Sequence, residues 1–219
     1  MNVYSWPSFP VSAFEMRVLP NQRTFVGPYT PTVQVLDMLG ERWQITMTLA
    51  PTVHDDITGA ALEAFFDRLK GQANAVSLWH VRRPRPQGTL AGAVTATWTP
   101  GTWTPGTWVA GAPIVADDIA QLANTGTILT LPGRTLKAGD QFSMGGQLVR
   151  QMVNTVADGT GRMPIEFQPR ARNVIPRATS IGWDTPTANF ILKPGTPNVP
   201  TVWTPDMIEG ATIEFIEVF

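Results

Sequence analysis

Thr135–Arg172 reads TLKAGDQFSMGGQLVRQMVNTVADGTGRMPIEFQPRAR. Its short apolar-rich runs are divided by Ala138-Gly139-Asp140, Gly145-Gly146 and Asp158-Gly159-Thr160-Gly161, residue types that tight turns use because they tolerate positive φ. In the last run Met163, Ile165 and Phe167 alternate with Pro164, Glu166 and Gln168, so each set faces one side of a strand. The pattern predicts a small antiparallel meander with one buried face. It contains no catalytic constellation.

The chain on either side extends this β reading. Val33–Leu36 and Arg42–Leu49 are predicted strands, with Leu39-Gly40-Glu41 as a turn between them. In the second, Trp43, Ile45, Met47 and Leu49 alternate with polar residues, the signature of a half-exposed antiparallel strand. The period then changes. Ile57, Ala61, Leu62, Phe65, Phe66 and Leu69 are spaced three and four apart and predict one amphipathic helix over 57–70. Asp55, Asp56 and Thr58 are N-cap candidates, Arg68 and Lys70 suit the last turn, and Gly71 suits the C′ position. Ala75–Val81 is the next expected strand, and the apolar run Ala211–Val218 reads as a central one.

Two basic, proline-punctuated connectors stand out: Arg82-Arg83-Pro84-Arg85-Pro86, and the stretch holding Pro169, Arg170, Arg172, Pro176 and Arg177. Proline donates no ladder hydrogen bond, so neither stretch continues as a central strand. Together they bracket a β-rich block. The expected organisation is one domain of residues 1–84 plus 188–219, with residues 85–187 inserted as a second. Within the insert, TWTPGTWTPGTW places Trp98, Trp103 and Trp108 five residues apart, a period of neither helix nor strand. It reads either as a tryptophan-rich loop pinned to its own domain or as an exposed anchor for a neighbouring subunit.

Composition narrows the function classes. Charged residues make up 15% of the chain, against about 25% in ordinary soluble domains. Eight tryptophans with so little charge read either as a surface suited to coverage by partners or as a deep single-chain core with neutral Thr and Gln outside. A net charge of −1 gives no global field for nucleic acid or anionic lipid. Cysteine is absent, which removes disulfides, thiolate nucleophiles and Cys-ligated zinc. The start, MNVYSWPSFP, lacks the basic and apolar regions of a secretory signal, and no apolar run reaches the roughly 20 residues that span a bilayer.

The two histidines offer little chemistry. His54-Asp55-Asp56 sits where a helix begins, so capping explains its carboxylates better than a metal does. His80 reads as a core-edge histidine. No nucleophile elbow, phosphate-binding loop, HExxH or EF-hand pattern occurs. No catalytic residue, metal ligand or cofactor is expected.

Three blocks, in this order, carry a family resemblance: AALEAFFDRLKGQANAVSLWHVRRPRPQGTLAG over 60–92, the meander of 135–172, and NFILKPG over 189–195. They resemble the distal tail proteins of long-tailed (siphovirus-like) bacteriophages, structural proteins of the tail tip. The resemblance implies a mainly β fold: a tail-tube-like antiparallel β-sandwich with one flanking α-helix and an inserted small β-barrel-like domain. It also implies a closed, sixfold ring of identical copies joining the tail tube to the hub or baseplate. Such a protein resides in the virion tail, assembles in the host cytoplasm, and engages neither membrane nor specific nucleic acid. The expected interface residues are Trp98, Trp103, Trp108, Arg82, Arg83, Arg85, Arg170 and Arg172. The arginines would pair with acids of a neighbouring subunit or simply be solvated. The tryptophan repeat and the first 30 residues lie outside the resemblance. An alternative is a carbohydrate- or receptor-binding module whose tryptophans stack on sugars. A cell-wall hydrolase would need convergent carboxylates.

Overall fold

A computed structural model describes residues 1–7, 9–26, 33–53, 56–90, 113–195, 207–208 and 212–218. The chain is mainly β, with one helix among the described residues. It divides into two compact units, Met1–Arg82 with Thr187–Phe219, and Arg83–Pro186.

In chain order the first unit begins with β1 (Val3–Ser5), β2 (Val11–Leu19), β3 (Gln22–Val26), β4 (Val33–Asp37), β5 (Arg42–Leu49) and β6 (Thr52–Val53). Helix α1 (Asp56–Leu69) and β7 (Ala75–Leu78) follow. The second unit holds β8 (Ile114–Val115), β9 (Thr125–Leu129), β10 (Thr135–Leu136), β11 (Gln141–Met144), β12 (Gln147–Gln151), β13 (Thr155–Val156), β14 (Arg162–Gln168) and β15 (Ile181–Gly182). The chain then returns through β16 (Ala188–Leu192), β17 (Met207–Ile208) and β18 (Thr212–Glu217).

The main sheet of the first unit has the order β1-β7-β16-β18-β5-β2. Only β1 and β7 pair in parallel; the remaining pairs are antiparallel. Trp43, Ile45 and Met47 of β5 share the core face with Ile213 and Phe215 of β18 and Phe190 and Leu192 of β16, all buried. β18 lies in the interior of this sheet, which suits its apolar sequence.

This sheet cannot be flat. Its outermost strands, β1 and β2, lie five strand spacings apart, about 24 Å in a flat sheet. The link from Ser5 to Val11 reaches about 22 Å at full extension. The sheet therefore curls so that its edges approach. Two contacts close the gap: the Phe14 and His80 rings lie 4.9 Å apart, and Arg82 Nη2 donates to the Ser12 carbonyl at 3.2 Å. Trp6, on the link, wedges edge-on between Phe65 of α1 at 5.4 Å and Phe215 of the sheet at 6.0 Å. Leu62, Phe65, Phe66 and Leu69 are the buried stripe of the helix. The helix ends with Lys70 and Gly71 both left-handed, and Asn74 Nδ2 donates to the Arg68 carbonyl at 2.8 Å. The C-terminal cap is thus shared, beginning one residue earlier than Gly71 alone predicts.

The second unit is a curled sheet of order β15-β11-β12-β14-β9-β8. An isolated bridge between Ile114 and Ser180 links its two ends, so the sheet is a nearly closed, barrel-like arrangement. Phe142, Val149, Met163, Ile165 and Phe167 fill the interior. Asp140 and Gln147 are buried polar exceptions. Gln147 Nε2 donates to the Pro169 and Arg170 carbonyls at 3.3 and 2.7 Å, and its Oε1 accepts from the Arg172 N–H at 3.0 Å.

Candidate interaction surface

β4 does not pair with β5, although the turn expected at Leu39-Gly40-Glu41 lies between them. It pairs with β3 in the register Gln22↔Asp37 to Val26↔Val33. β2 meets β5 as far as Leu19↔Arg42, so β3 and β4 prolong the β2–β5 ribbon beyond the sheet. The result is a two-stranded arm, with no third strand on it among the described residues.

All ten arm residues are exposed. One face carries Gln22, Thr24, Val26, Val33, Val35 and Asp37; the other carries Arg23, Phe25, Gln34 and Leu36. Val26 is 68% exposed, Val35 57%, Leu36 54% and Phe25 52%. Apolar side chains therefore occupy both faces of an element that covers none of them. A protein that stays single rarely presents such a surface.

Two residues, 20–21, join the arm to the sheet on one strand, against four, 38–41, on the other. The surplus is absorbed by two consecutive left-handed residues, Leu39 at φ 56° and Gly40 at φ 82°. The Met38 N–H donates to the Asn21 carbonyl at 2.8 Å, and Asn21 Nδ2 donates to the Leu39 carbonyl at 2.8 Å. The Leu39 N–H donates to Asp37 Oδ1 at 3.1 Å. A Cβ on Gly40 would find only Asn21 Nδ2 near it, at 3.8 Å, so the backbone angle alone demands glycine there.

The arginines expected at an interface are dispersed. Arg82 stitches the curled sheet of the first unit. Arg83, exposed, lies by Gly139, and its charge joins burial in holding the Arg150 guanidinium below its ordinary value, burial being the larger cause. Arg85 forms a two-pronged ion pair inside the second unit: Nε to Asp184 Oδ1 at 2.9 Å and Nη2 to Oδ2 at 3.3 Å. The pair raises the Arg85 proton affinity and lowers that of Asp184. Beside it, the Thr185 N–H donates to the Pro84 carbonyl at 2.7 Å. Arg170 and Arg172 are half-buried, with their backbones held by Gln147. Trp98, Trp103 and Trp108 lie outside the described residues, as do His54 and Asp55.

Among the described residues no group of three or more His, Cys, Asp or Glu side chains could hold a metal ion, and no helix is long and apolar enough to cross a membrane. Neither the protein families nor the curated proteins compared with the chain yield a match. The arm was hidden in the sequence reading. Its signal is the apolar content of both alternating sets in RTFV and VQVL, with Pro- and Gly-bearing GPYTPT between them.

Proposed function

We propose that this chain is a structural virion protein of the phage tail tip, in which copies of it form a closed ring joining the tail tube to the hub or baseplate. On this reading it works by assembly, without catalysis or cofactor. The observation that carries the reading is the exposed β3–β4 arm, apolar on both faces. Low charge and the block order that resembles distal tail proteins support it.

A ring needs a head-to-tail contact, with a projecting surface on each copy and a different receiving surface on the next. The arm is suited to be the projecting part. Its ten residues are about a third to a half of the 20–30 that one side of a standard interface uses, so it anchors a larger contact.

The test is native mass measurement with negative-stain imaging of the purified chain and of a Phe25→Ser/Val35→Ser variant. The unaltered chain should form closed rings, and the variant, less apolar on each arm face, should remain single with its fold intact. A wild-type chain that stays single at high concentration and beside tail-tube protein would overturn the reading.

A further inference from the structure

We propose that Arg83 and Arg150 form an anion site on the outer face of the second unit, one that takes a small, doubly charged oxyanion of the phosphate class. It stands apart from the ring reading and concerns the second unit alone. The site is set by register. Phe142 of β11 and Val149 of β12 point into the core, so Gln141 and Arg150, each one residue away, face outward as a cross-strand pair. Arg150 is opposite Gln168 of β14 as well, and Phe167 beside it points inward. A row Gln141–Arg150–Gln168 therefore crosses three neighbouring strands, one guanidinium between two amides. Glu166, exposed, is a diagonal neighbour on the same face.

Arg83 reaches this row from the first connector. The Gly139 N–H donates to the Gln151 carbonyl at 2.8 Å and the Gln151 N–H to the Asp140 carbonyl at 2.8 Å, so the turn before β11 lies against the residue that follows Arg150. Arg83 Nη1 lies over Gly139, 3.6 Å from where a Cβ would stand, and a longer side chain there would crowd the guanidinium. The Arg83 charge is felt at Arg150, where it adds to the larger effect of burial in lowering the proton affinity. Two cations, one of them half-buried, are thus held together, an arrangement that a shared anion stabilises. Acids close by in the chain are engaged elsewhere: Asp184 with Arg85, and the Asp140 carboxylate with the N–H groups of Gln87, Gly88 and Lys137. Guanidinium forks match oxyanions in pairs of hydrogen bonds, and two forks match two negative charges. A nucleic-acid backbone would call for a longer basic stripe than a row holding one arginine.

Calorimetric titration of the full chain with sodium phosphate tests this at about pH 7.5, where a phosphate group carries close to two charges. Phosphate should bind saturably, one per chain, while sodium chloride at equal ionic strength should not. Arg83→Gln and Arg150→Gln should each weaken phosphate binding at least about tenfold, the scale of one lost charge-assisted hydrogen bond. Arg83 is exposed, so its variant keeps the fold even where Arg150→Gln loses it, and melting temperatures taken without phosphate record the difference. Arg85→Gln, whose native side chain is engaged with Asp184, should leave phosphate affinity unchanged. Equal heats from phosphate and chloride, or phosphate binding undiminished in Arg83→Gln, would overturn the site. A short oligothymidylate that binds more tightly than phosphate, and is lost in the same two variants, would overturn the choice of a small ligand.

Discussion

The Asp140 carboxylate accepts a hydrogen bond from the Gly88 N–H at 3.0 Å, joining the turn between β10 and β11 to a segment 52 residues earlier. The same carboxylate accepts from the Gln87 N–H at 2.7 Å and the Lys137 N–H at 2.8 Å. Asp140 is buried, so its removal strands three backbone donors together. Asp140→Ala should destabilise the second unit by about 2–4 kcal/mol, measured by urea unfolding of the full chain. A loss under about 0.5 kcal/mol would show that water replaces the carboxylate there.

Gly88 meets a second constraint from the other side of this junction. A Cβ on it would run into the carbonyl of Thr135, which already accepts from the Leu90 N–H at 3.2 Å. Gly88→Ala should therefore cost about 1–3 kcal/mol and loosen the same segment, seen as faster exchange of the Leu90 amide.

Gln147 holds the second arginine connector with both ends of its amide. Gln147→Leu keeps the volume and leaves the carbonyls of Pro169 and Arg170 without that donor, at an expected cost of about 1–3 kcal/mol. Thermal unfolding of the variant, beside Gln147→Glu as a second probe of the amide, measures it.

Trp6→Ala tests the curl of the first sheet. The ring is partly exposed yet bridges α1 and β18, so the expected loss is about 2–4 kcal/mol, near the low end for a large aromatic. β1 should show the largest gain in amide exchange, since the link it ends is what the ring secures.

Acid sensitivity follows from Asp158 and Asp184. The Thr160 hydroxyl and the Arg162 N–H hold the Asp158 carboxylate below its ordinary range, and Arg85 does so for Asp184. Folded values below the unfolded one mean stability fully present above the unfolded value, about pH 4, and lost as pH falls through the folded values. Asp158→Asn and Asp184→Asn should each flatten the acid limb of a melting-temperature profile below about pH 4 and leave its shape near neutrality unchanged.

Local patterning made much of the fold legible. The alternation in β14 matches its buried face. The apolar set of β5 is buried as expected, although Gln44 of its polar set is buried too. Leu62, Phe65, Phe66 and Leu69 of the α1 stripe are buried, while Ala61 is exposed. Choice of partner is not local. Val33–Leu36 reads as a strand, yet nothing within it tells β3 from β5 as its neighbour, and a turn at Leu39-Gly40 leaves that choice open. Asp140 reads correctly as a turn residue, while its bonds to residues 87 and 88 cross a stretch that sequence spacing cannot measure. Arg85 looked available for a neighbour because Asp184 lies 99 positions away.

That ion pair, with the Thr185–Pro84 hydrogen bond, clasps the entry and exit of the second unit side by side. A module whose two ends emerge together can be cut out, or traded for another, without redrawing the host that carries it. Gene exchange thus has a route to refit the second unit while the first is inherited unchanged.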